Sequence, residues 1–62
     1  MIKELEKRIE HLKQLRENFR IASGKALDSK DVYLQGAYDG ERIRLLEEIQ
    51  YLQKLVAMLK GE

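Results

Sequence analysis

At 62 residues, with no cysteine and a single histidine, the chain holds one domain and excludes disulfides, thiolate zinc sites, cysteine nucleophiles and an all-histidine metal site. Twelve basic against eleven acidic residues leave a net charge of +1, which argues against a protein devoted to the nucleic-acid backbone. So short a chain buries only about 60% of its unfolded surface, and oligomerisation becomes the expected source of added stability.

The first predicted element covers residues 2–23. Apolar residues fall at Ile2, Leu5, Ile9 and Leu12, then at Phe19 and Ala26, the spacing of a heptad with isoleucine at a and leucine at d. Arg16 occupies the a position where the next apolar residue belongs. Glu4 with Arg8 and Glu10 with Lys13 add favourable pairs along the helix surface, each contributing a few tenths of a kcal/mol.

Gly24 is the expected stop, because glycine accepts the left-handed conformation that ends many helices. Residues 24–28 then form a connection of the length usual between antiparallel helices. Asp28 is the candidate N-cap of the next helix, with the Asp31 carboxylate in its first turn, where the helix dipole favours negative charge. The alternative left open is a first helix that runs on to Leu27.

The second predicted helix spans residues 29–60. Leu45, Ile49, Leu52, Val56 and Leu59 form a seam at alternating spacings of four and three, flanked by Ile43, Leu46, Tyr51, Leu55 and Met58. That apolar face is broader than a two-stranded stripe requires and suits a helix in a bundle. Within it, the stretch YLQGAYDGER carries an Asp-Gly turn signal and two glycines four residues apart. The reading preferred is a continuous helix in which Gly36, Ala37 and Gly40 form a packing notch. In that notch the Arg16 and Phe19 side chains, or a partner helix, approach the backbone, and Asp39 lies within reach of Arg16.

The expected fold is therefore all-α: an antiparallel helical hairpin of coiled-coil character. With the connection centred near residue 26, Ile9 faces Leu45, Leu5 faces Ile49 and Ile2 faces Leu52. Leu55, Val56, Met58 and Leu59 then overhang the first helix. Leaving four such side chains in water would forgo roughly 1.5–3 kcal/mol each. A second copy is the simplest cover, since two-fold dimers are the commonest oligomer, and two hairpins make a four-helix bundle. The expected interface residues are Ile43, Leu46, Leu55, Val56, Met58 and Leu59.

Chemistry has few places to reside. Glu47-Glu48 is the only adjacent acidic pair, and the Glu-x-x-His of carboxylate-bridged metal bundles is missing. Ser23 and Ser29 lack a neighbouring base, and Gly24-Lys25 lacks the frame of a phosphate loop. No catalytic, cofactor or metal residue is expected. Lys13, Arg16 and Arg20 share one helix face beside Phe19 as candidate phosphate contacts, but Glu10 and Glu17 interrupt that face.

Tyr33, Gly36, Asp39 and Gly40 form a Tyr-x-x-Gly-x-x-Asp-Gly stretch that resembles small phage and bacterial helical proteins in which such a stretch leads into an amphipathic helix. The resemblance covers about ten residues, brings no activity with it, and implies an accessory or phage-derived protein. With neither a secretory signal nor a membrane-length apolar run, the cytoplasm is the expected location. The expected role is a non-catalytic interaction or oligomerisation module that pairs with itself as a homodimer, with another protein as a further partner. Rival roles are a small inhibitor of a partner enzyme and a nucleic-acid-binding accessory.

Overall fold

The heptad that starts at Ile2 runs on past Gly24. Leu12, Arg16, Phe19, Ser23 and Ala26 continue the alternation of four and three. In the computed structural model, which describes residues 1–61, the first helix (α1) accordingly extends over Ile2–Asp28. The second (α2) covers Val32–Leu59, continuous through Asp39 and Gly40. The two pack antiparallel into a hairpin 47 Å long and only 15 × 12 Å across, with no strand among the described residues.

The helix stop falls on an unexpected residue. Asp31 N–H donates to the Ala26 carbonyl at 2.8 Å and Lys30 N–H to the Leu27 carbonyl at 2.9 Å. That bond pair closes a helix through one left-handed residue, a place usually held by glycine. Here it is Lys30, with φ of 59°. Gly24 is an ordinary residue within α1, and the connection is residues 29–31, not 24–28. The N-cap of α2 is Asp31, whose side chain accepts from the Leu34 N–H at 3.0 Å; Asp28 is the last residue of α1.

Moving the connection changes every layer. Ser23 bonds to Asp39, Phe19 packs on Tyr38 with ring centroids 5.8 Å apart, and Arg8 reaches Glu48. Near the open end Lys60 reaches Glu6 at 3.7 Å. With the connection centred on residue 30 instead of 26, α1 residues meet α2 on average roughly two helical turns beyond the expected position. The arms become almost equal, at 27 and 28 residues, and the overhang disappears. Val56 joins Ile9, Leu12 and Ile49 in the buried cluster, with Ile2, Leu5, Leu15, Leu45 and Leu52 packed around it.

The physical reason is a balance of sizes. A left-handed lysine costs about 1–2 kcal/mol. Burying Val56, which is 8% exposed, and covering Leu5 and Ile2 contributes roughly 1.5–3 kcal/mol for each fully buried side chain. The longer, symmetric pairing wins. Even so the core is thin: among the described residues Leu12, at 1% exposed, is the one large side chain fully enclosed.

Candidate interaction surface

The α2 helix carries apolar residues on two sides. Those at the phase of Ile49 and Val56 face α1. Those about half a turn away, Tyr33, Ile43, Tyr51 and Met58, face solvent, with Tyr33 88% and Met58 71% exposed. On α1 the corresponding outer side holds Lys3, Lys7, Glu10, Gln14 and Glu17, all exposed, and Ile21 is its one large apolar residue. The unpartnered apolar surface therefore lies mainly on the outside of α2.

The six residues expected at an oligomer interface do not share one face. Val56 is core, so its cover comes from within the chain. Ile43 and Met58 lie on the outer side. Leu46 and Leu55 are half-buried on opposite flanks, since nine residues of helix turn the side chain through about 180°. Leu59 is exposed near the open end, where Met1 and Ile2 lie beside it.

The expected notch also faces outward. Gly36, Ala37 and Gly40 are exposed, and a Cβ placed on either glycine would meet nothing within 4 Å. Phe19 packs against Tyr38 instead, and Arg16 is half-buried with its Nε unpaired. No side chain of α1 approaches these glycines. The geometric room at the notch remains, and it opens to solvent beside Tyr33 and Ile43.

Asp39 has a different partner from the one expected. Its Oδ1 accepts from the Ser23 hydroxyl at 2.7 Å and from the Arg42 guanidinium at 3.0 Å. Those two donors, Ser23 first, hold the Asp39 carboxyl below its ordinary value. Ser23 is itself buried, so this bond joins the helices at a fixed register where an apolar layer would tolerate sliding. Sequence reasoning placed Ser23 beside a loop and missed it. The available signal was its heptad position, four residues after Phe19 and three before Ala26.

The basic trio is divided among different tasks. Arg20 forms a two-pronged pair with Glu17, Nη2 to Oε1 at 2.6 Å and Nε to both carboxylate oxygens at 3.0 Å. That contact lowers the Glu17 carboxyl and raises the Arg20 guanidinium. Arg16 lines a shallow depression between the helices together with Lys13, Glu17, Leu46, Ile49 and Gln50. The face is of mixed charge, and its strongest anion-binding fork is already occupied by a carboxylate. His11 is exposed, and among the described residues no three His, Asp or Glu side chains gather as a metal site. No described helix is long and apolar enough to cross a membrane.

No protein-family model, curated protein or solved structure matches this chain.

Proposed function

We propose that the chain is a non-catalytic interaction and oligomerisation module whose working surface is the solvent-facing side of α2. The observation that carries this reading is the asymmetry between the helices. α1 presents mainly charge to water, with Ile21 and Leu27 as its exposed large apolar residues, whereas α2 presents Tyr33, Ile43, Tyr51 and Met58. Tyrosine and methionine are enriched where proteins meet, and a single thin hairpin gains most from covering such a face. In this reading the module acts in the cytoplasm as an accessory protein. Its first partner is a second copy, and two hairpins together make a four-helix assembly.

Sedimentation equilibrium, run alongside circular dichroism from micromolar to high micromolar concentration, tests the proposal. The expected result is a reversible rise to twice the chain mass. A chain that keeps monomer mass and full helicity throughout would remove self-association. The nucleic-acid rival requires salt-sensitive binding to random DNA or RNA that disappears in an Arg16→Ala, Arg20→Ala double variant; no such binding is expected.

A further inference from the structure

We infer that the partner of the outer α2 face is the same face of a second copy, lying antiparallel about a two-fold axis that passes between Leu45 and Leu46. This rests on the self-association reading above and specifies its surface and register. Along that face a seam of four-three spacing takes in Tyr33, Ala37, Gly40, Tyr51 and Met58 with Arg44, Glu47 and Lys54, and exposed Ile43 lies on its flank. Its residue types are complementary to their own inversion. Inverting it places Tyr33 on Met58 of the other copy, Ala37 on Lys54, Gly40 on Tyr51 and Arg44 on Glu47.

Each of those pairings is complementary. A large side chain meets a small one at Gly40 with Tyr51, where the glycine has open space for the ring. The same holds at Ala37 with Lys54. Tyr33 and Met58, both highly exposed in the single chain, form a sulfur–aromatic contact. Arg44 has 81% of its side chain in water and only a 3.6 Å contact to Glu41, so it is free to reach Glu47 of the other copy. The two-fold axis repeats every pair, giving two cross-chain ion pairs near the centre.

Parallel pairing would set Arg44 against Arg44, Glu47 against Glu47 and the two Tyr51 rings against each other, leaving the Gly40 gap empty. Like charges in register are repulsive, so orientation follows from charge. A partner of unrelated sequence would give no reason for the seam to match its own inversion. The seam lies well over a quarter turn from the α1 contact, which puts α1 of each copy on the outside. The assembly is thus an open four-helix layer and not a closed bundle. A strip roughly 39 Å long and 10 Å wide covers about 780 Å² over both copies, below the roughly 1,200–2,000 Å² of a standard interface, so the dimer expected is a weak, transient one.

Charge reversal and cross-linking test the register. Arg44→Glu and Glu47→Arg are each expected to weaken the dimer at least about tenfold without loss of monomer helicity, and the double variant to restore it. The chain has no cysteine of its own, so Ala37→Cys and Lys54→Cys chains can be mixed and oxidised. A disulfide predominantly between the two variants supports the antiparallel register. Predominant Ala37→Cys self-coupling overturns it. A dimer indifferent to both charge reversals overturns this interface while leaving self-association standing, and a wild-type chain that stays monomeric overturns both.

Discussion

Replacing Gly24 by alanine separates two descriptions of this hairpin by the sign of the effect. If Gly24 closed α1 in a left-handed conformation, alanine would cost about 1–2 kcal/mol there. In the structure Gly24 lies inside α1, exposed, and an added Cβ meets nothing within 4 Å. Alanine in an unobstructed helix interior is more favourable than glycine by about 1 kcal/mol, through reduced unfolded-chain entropy and better helix propensity. The two descriptions therefore differ by roughly 2 kcal/mol or more. A domain of this size has a total stability of only about 3–9 kcal/mol. A gain of 1 kcal/mol should raise the melting temperature by about 4–8 °C. The assay is thermal and urea unfolding followed by circular dichroism at low micromolar concentration, where self-association contributes least. Gly36→Ala, equally open inside α2, serves as the positive control. A lower melting temperature for Gly24→Ala beside a higher one for Gly36→Ala would refute the placement of the helix end.

Further outcomes follow from the same structure. Lys30→Gly should stabilise the hairpin by about 1 kcal/mol, because glycine holds the left-handed stop without strain; urea midpoints measure it, and a destabilised variant would place the stop elsewhere. Leu12→Ala should cost about 3 kcal/mol, within the range for enclosed leucines, and leave the chain largely unfolded near physiological temperature. A loss below about 1 kcal/mol in denaturant titration would mean the seam is not packed as described. The pH response follows from carboxylates held low in the fold, Asp39 through Ser23 and then Arg42, and Glu17 through Arg20. A carboxyl with a folded value below its unfolded one adds stability that is full above the unfolded value and lost as pH falls through the folded value. Helicity should therefore be steady above about pH 5 and decline below about pH 4, less steeply in Asp39→Asn. An unchanged acid limb in that variant would detach Asp39 from the effect.

Much of the architecture was legible in the residues because local physics decides it. The 3–4 alternation around Ile2, Leu5, Ile9 and Leu12, and again from Leu45 to Leu59, dictates two amphipathic helices. Their lengths leave room only for a hairpin. The continuity of α2 through Asp39-Gly40 also follows from its flanks, since two glycines cost less than breaking a helix whose apolar face continues beyond them. What misled was Gly24, where a local preference of about 1 kcal/mol pointed to a stop. A stop there leaves Ala26 outside the helix and strands Val56.

Only the packed hairpin decides register. Sliding one helix past another by a heptad or so changes no local propensity, yet it determines whether Val56 is core or surface and whether Asp39 meets Ser23 or Arg16. The left-handed Lys30 is unfavourable alone and is held by the whole length of the two arms. Which side of α2 stays exposed is settled at the same moment. The sequence by itself determined two helices and their amphipathic faces, because periodicity and propensity act within a few residues. The tertiary structure decided the connection, the pairing and the free surface, because those depend on summed burial between residues far apart in the chain.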